Sequence, residues 1–232
     1  MRNSIKTLFL AILVCAGAAS STIAQERAVS NFNGVAINGS IKTIIKIGSQ
    51  ETLRFEGDQD AIAELITEVR SGVLTIKNKS NRGKWNLKSR NSQITAYITV
   101  KRLTSLTMSG SGSIDVEGVI NASELSTTLS GSGVIRASAN VKTLNAVISG
   151  SGNLSLSGKA NEAHITVGGS GNFRGTTLQA ETASTTISGS GSIYISANRK
   201  LNAVVSGSGN VHYTGNATVE KTVVGSGGVR KS

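Results

Sequence analysis

The chain has 232 residues, with 24 basic against 13 acidic side chains, 27 glycines, one cysteine and no proline. A lone Cys15 excludes a disulfide framework, so the fold must be held by burial and backbone pairing. The length is ample for one domain with its own core, and no segment approaches the roughly 20 apolar residues of a membrane helix.

In chain order, Arg2 and Lys6 flank an apolar run from Leu8 to Ala19 that has the length of a signal-peptide core and is too short to span a bilayer. Small residues end at Thr22-Ile23-Ala24, which predicts a signal peptide over residues 1–24 and a mature chain beginning at Gln25. Val14 is branched where a lipoprotein signal wants a small residue, which argues against lipidation of Cys15. The expected location is the periplasm, the outer-membrane surface or the medium.

Residues 25–102 read as a β-rich N-terminal part continuous with the C-terminal region, residues 103–232. Strands are expected at Val35–Ile37, Ile41–Ile47, Leu53–Glu56, Val73–Ile76 and Ile94–Val100, with Asn38-Gly39 as a turn signal. One helix is expected from about Asp60 to Val69, because Ile62, Leu65, Ile66 and Val69 share a helical face and Asp58 and Asp60 favour its start. From Arg70 to Arg102 there are nine basic residues and no acidic one, whereas the rest of the mature chain balances 13 against 13. Lys79, Arg82, Lys84, Lys88 and Arg90, in an expected loop from Asn78 to Arg90, are the candidate polyanion-binding set. The competing reading makes them solvated gatekeepers of strands and loops.

Residues 103–232 form a periodic array. The first glycine of each Ser-Gly-Ser-Gly-like unit falls at Gly110, Gly131, Gly150, Gly169, Gly189, Gly207 and Gly225, at intervals of 21, 19, 19, 20, 18 and 18. Two places before it stand Met108, Leu129, Ile148, Val167, Ile187, Val205 and Val223, and four places after it Ile114, Ile135, Leu154, Phe173, Ile193, Val211 and Val229. Apolar alternation on both sides of the glycines means strands with one buried face, and the constant period means coils that bury their apolar edges by stacking. The expected fold is all-β: a single-stranded parallel β-helix of about 19-residue coils, two short strands and two turns in each. Strand parity places Leu129, Gly131, Gly133 and Ile135 inward and Ser130, Ser132 and Val134 outward. The glycines at Gly110, Gly112, Gly131, Gly133, Gly150, Gly152, Gly169, Gly171, Gly189, Gly191, Gly207 and Gly209 are then structural, at a corner that lacks room for a side chain or needs positive φ.

Several pieces together resemble the family of auto-transporter adhesins with a head GIN domain. They are Phe32-Asn33-Gly34-Val35, Leu53-Arg54-Phe55-Glu56-Gly57-Asp58, Ser71-Gly72-Val73-Leu74-Thr75-Ile76, Ile98-Thr99-Val100 and Leu103-Thr104-Ser105-Leu106, followed by the Ser-Gly array. The resemblance implies a right-handed parallel β-helix exported in a bacterium, and it brings no catalytic residues.

Chemical motifs are sparse. Gly110-Ser111-Gly112 lacks the spacing of a nucleophile elbow, His164 and His212 sit in different columns, and the aspartates of a calcium β-roll are missing. No cofactor or metal is expected. Asp115 and Glu117 share strand parity one coil before Arg136, the nearest approach to a hydrolytic carboxylate pair, and cross-coil pairing accounts for them as well. Trp85, Tyr97, Tyr194 and Tyr213 are the sugar-stacking candidates, and nucleic acid is not an expected partner of an exported chain with so few aromatics. The expectation is a non-catalytic binding or structural module that displays polar columns to a polysaccharide or cell-envelope protein, with homo-oligomers left open. The alternative is a carbohydrate-active enzyme, lyase or hydrolase, on the same scaffold.

Overall fold

The computed structural model describes residues 25–79 and 93–232. Strands β1 (Gln25–Arg27), β2 (Gly34–Asn38), β3 (Lys42–Ile47) and β4 (Thr52–Gly57) precede helix α1 (Gln59–Ala63). Then come β5 (Leu65–Arg70), β6 (Val73–Asn78), β7 (Ile94–Val100) and β8 (Ser105–Gly110). The long strands β9 (Ser113–Gly131), β10 (Val134–Gly150), β11 (Asn153–Gly169), β12 (Asn172–Gly189) and β13 (Ser192–Gly207) each trace most of a coil, and β14 (Asn210–Thr214), β15 (Thr218–Val224) and β16 (Gly228–Lys231) complete the chain.

The coils stack in parallel as a β-solenoid. Ile135 of β10 lies beside Ile114 of β9 and Leu154 of β11, and the same register carries on to Phe173, Ile193 and Val211. This column and the one running through Leu129, Ile148, Val167, Ile187 and Val205 are wholly buried. Each such side chain contributes about 1.5–3 kcal/mol of transfer free energy, which is what a chain without disulfides needs. Volume is balanced within a coil: a Cβ on Gly175 would meet the Phe173 ring at 2.5 Å, so the largest residue of its column is matched by the smallest in the next inward one. The second run of a coil is longer than the sequence pattern suggests, since inward alternation in β10 continues from Ile135 through Ala137 and Ala139 to Val141.

The helix expected over Asp60–Val69 is half wrong. Asp58 caps α1 by accepting from Ala61 N at 2.9 Å, but the helix ends at Ala63. Leu65–Arg70 is instead β5, paired antiparallel with β6 through Val69 beside Leu74. The β-branched Ile66, Thr67 and Val69 suit a strand, and Ser71 (φ 49°) and Gly72 (φ 77°) form a two-residue turn of the kind that closes hairpins.

The N-terminal coils are stacked out of chain order. β2 lies between β6 and β8, and β3 between β7 and β9, all parallel. The chain thus lays down one coil, moves outward through β4, α1 and β5, returns as β6 and β7, and passes over the first coil to begin β8. Antiparallel β4 on β7 and β5 on β6 cover that end of the stack. Arg27 ties β1 to the cover, donating to Ile62 O and Leu65 O at 2.8 Å and to Thr67 Oγ1 at 2.7 Å, over the face of Phe55. Burial lowers its pKa, and the three acceptors with the ring offset that cost.

Candidate binding surfaces

The Ser-Gly-Ser-Gly corner sets the register that places every surface column. Its two glycines do different work. Gly110, Gly131, Gly150, Gly169, Gly189 and Gly207 all have φ between 99° and 127°, a region closed to most side chains. Gly133, Gly152, Gly171, Gly191 and Gly209 are buried without positive φ, and a Cβ on Gly152 would lie 2.7 Å from both Gly133 O and Leu129 Cδ2. Parity therefore fails at Gly131, which is exposed, and resumes at Gly133: the left-handed residue turns the chain and resets the alternation. Backbone bonds lock the corner between neighbours, Ser151 N donating to Gly131 O at 2.9 Å and Asn153 N to Gly133 O at 3.0 Å.

The array extends one coil further than the sequence showed. A Cβ on Gly110 would lie 2.6 Å from Gly39 O, and Gly39 itself has φ 118°, so Asn38-Gly39-Ser40 occupies the same corner. Ile37 and Thr43 then take the two flanking inward positions, beside Met108 and Ile114. The missed signal was that inward pair around a single glycine. Thr43 in an apolar column and Ile41 in place of the second glycine disguised it.

Two long outward faces result. Before the glycines, Thr107, Thr128, Val147, Thr166, Thr186, Val204 and Thr222 form one unbroken column, continued by Ala36 and Thr75 at the covered end. The column is uncharged, and Val147 and Val204 are 41% and 46% exposed.

After the glycines the corresponding column carries charge and rings. Tyr97, Ile44, Asp115, Arg136 and Ser155 stand side by side, followed by Arg174, Tyr194, His212 and Arg230. Arg136 Nη1 reaches Asp115 Oδ1 at 3.0 Å, and the Tyr194 and His212 rings stack at 4.8 Å and 9°. Arg54 lies over Tyr97 at 4.6 Å and pairs with Glu56. The Glu56 carboxylate, accepting from the Tyr97 phenol, holds that phenol above its ordinary pKa. Tyr194 and Tyr97 are thus presented outward, whereas Tyr213 packs against the core, in the column of Ile195. Trp85 lies outside the described residues.

The coil lengths are reconciled at the corner opposite the glycines. Two residues more than in β10 are accommodated between Asp115 and Val119, and further register shifts lie between Gly175 and Gln179 and between Ala180 and Thr182. A pocket of about 390 Å³ opens between these irregularities, lined by Asp115, Val116, Arg136, Ser138, Ser155, Ser157, Arg174, Thr176 and Thr177 among others. A larger groove of about 1090 Å³ runs beside Tyr97 and Arg54 to Lys46, Glu117, Val29 and Val69.

The polyanion set is not assembled on the described part of the chain. Lys79 Nζ donates to Ala63 O at 2.7 Å, at the end of α1, and Arg82, Lys84, Lys88 and Arg90 lie outside the described residues. Two more cations of the basic run pair with Glu68 of β5, Lys77 across from β6 at 2.7 Å and Arg70 from the same strand at 3.0 Å. The Lys77 hydrogen bond, with the Arg70 charge, holds the Glu68 carboxyl below its ordinary pKa. His164 Nε2 stands 4.0 Å from Glu162 Oε2, and Glu124 accepts from Asn145 Nδ2 at 2.8 Å. Among the described residues no three metal-ligating side chains come together, and no helix is long and apolar enough to cross a membrane.

A parallel β-solenoid with a glycine corner, an antiparallel cover and two dissimilar outward faces is the class that these features define. The chain belongs to the family described as putative auto-transporter adhesin, head GIN domain, which matches residues 31–217. Solved structures share the fold. A putative adhesin from Bacteroides fragilis superposes with a TM-score of 0.82 at 23% identity, over 90% of this chain and 96% of that one. A putative lipid binding protein from Parabacteroides distasonis gives 0.74 at 25% identity over 90% and 96%, and a putative adhesin from Parabacteroides merdae 0.71 at 19% over 90% and 95%. No curated protein matches significantly.

Proposed function

We propose that this chain is an exported, non-catalytic binding module of the cell envelope that displays a rigid repeating surface to a polysaccharide or an envelope protein. The observation that carries the reading is the uncharged Thr/Val column, repeated at about 4.8 Å from coil to coil on a backbone that stacking immobilises. Such a column offers an extended partner many equivalent weak contacts at low entropic cost, and their sum supplies avidity. Export is supported by the signal-peptide pattern of residues 1–24, and the binding role by the family's adhesin description. Asp115, the first acid of the candidate hydrolytic pair, is engaged by Arg136, which favours the non-catalytic reading.

Affinity electrophoresis through gels carrying neutral or acidic soluble polysaccharides tests the reading. The native chain should be retarded by at least one polymer, and the double substitution Thr128→Glu, Thr166→Glu should abolish that retardation without changing the circular dichroism. No retardation by any polymer, together with no captured envelope protein sensitive to the same double substitution, overturns it.

A further inference from the structure

We propose that the pocket at the corner opposite the glycines is a binding site for a saccharide residue that bears a carboxylate, a uronic acid within an acidic glycan. The pocket is built by irregularity in a regular array. The coils of β10 and β11 pair without any shift and make its floor, while β9 carries two extra residues between Asp115 and Val119 and β12 one extra between Arg174 and Leu178, and these form lips on either side. Lip to lip spans three coil steps, about 14 Å at the usual strand spacing. With a volume of about 390 Å³ the pocket falls at the lower end of small-ligand sites, room for one or two sugar residues.

Its chemistry selects the ligand. Ser138 and Ser157 on the floor share a hydroxyl hydrogen bond of 2.6 Å, and Thr176 and Thr177 on the lip are exposed. Hydroxyls both donate and accept, which matches the ring hydroxyls of a sugar and offers little to an apolar chain. Two guanidinium groups frame the pocket two coil steps apart. Arg136 is held by Asp115 at 3.0 Å, whereas Arg174 has no ion-pair partner among the described residues. Two cations and one anion leave one net positive charge, the complement of a single carboxylate, and the planar fork of Arg174 is shaped to take it bidentately. Asp115 disfavours a dianionic phosphate at the same place and accepts from a sugar hydroxyl instead.

The inference rests on the saccharide side of the display reading but uses the other face, so the two can fail separately. The experiment is calorimetric titration of the mature chain with digalacturonate, and with the neutral disaccharide made by reducing both carboxyls to alcohols, at physiological ionic strength. Digalacturonate should bind at least tenfold more tightly, Arg174→Gln should bring it down to the level of the neutral sugar, and Arg199→Gln, outside the pocket, should change nothing. Equal binding of the two sugars overturns the assignment, as does an unaffected Arg174→Gln or an equal loss with Arg199→Gln, which would mean diffuse charge attraction. Retardation by neutral polymers without digalacturonate binding overturns the pocket and leaves the display reading standing. Binding in the pocket with no retardation by any polymer does the reverse.

Discussion

The two corners of the coil show how one repeat divides its tasks. At the glycine corner the register runs unbroken from Gly131 through Gly150, Gly169 and Gly189 to Gly207, and each glycine's α-carbon faces a carbonyl of the coil before it. At the opposite corner the register shifts in three of the interfaces, and all the variation in coil length is absorbed there. A corner that is packed against backbone on both sides tolerates no extra atom. The opposite side also holds single residues tightly, since a Cβ on Gly158 (φ 108°) would clash with Ala139 O, but at the exposed Thr176 and Thr177 it accommodates extra residues that shape a pocket.

The largest difference between the corners is expected when the same insertion is made at each. Adding Gly-Ser between Ser151 and Gly152 displaces the amides that bond Gly131 O and Gly133 O, and strands the carbonyls of Gly150 and Gly152 that accept from the next coil. Two or more unmade buried bonds at about 1–3 kcal/mol each predict a loss of about 4 kcal/mol, a large part of the stability of such a domain. Adding Gly-Ser between the exposed Thr176 and Thr177 lengthens an existing bulge and should cost less than about 1 kcal/mol. Denaturant unfolding of the two insertion variants reads the difference, and equal losses would mean that the corners are not distinct.

Single substitutions separate the two glycines of one corner. Gly152→Val places branched carbon against Gly133 O and Leu129, where overpacking predicts a loss of about 3 kcal/mol and a melting temperature lower by roughly 10 °C. Gly150→Ala meets a left-handed backbone at φ 124° and Gly131 O at 2.6 Å, with an expected loss of about 2 kcal/mol. Thermal melts of both variants should rank in that order, since only Gly152 also faces the core.

What the sequence made legible came from repetition. The apolar columns, five of the strands between Val35 and Val100 and the cross-coil neighbourhood of Asp115 and Arg136 could all be read because alternation and spacing determine them. The out-of-order coil could not, because Gly39 repeats the corner only once and its neighbours Ile41 and Thr43 break the pattern. The strand at Leu65–Arg70 was hidden because its apolar residues satisfy a helical face too, and only pairing with β6 decides between them. The pocket was invisible for a different reason: the unequal intervals were plain, but which corner absorbs them is a matter of register, and register exists only between coils.

Asp115→Asn sets the smallest stability effect against the clearest functional one. The pair with Arg136 lies on the surface, its side chains 33% and 60% exposed, so solvent screening limits its worth to a few tenths of a kcal/mol, and the melting temperature should fall by no more than about 1 °C. Moderate salt should erase even that, because exposed charges are screened within about 10 Å. In the pocket the same change removes the only acidic group of its lining and frees a second guanidinium two coil steps from Arg174. Digalacturonate carries two carboxylates, so its affinity should rise several-fold while that of the neutral disaccharide stays the same or falls with the loss of an acceptor. A variant that melts like the native chain and binds the acidic sugar more tightly would place Asp115 on the side of recognition; a substantial loss of stability with no gain in binding would return it to the scaffold.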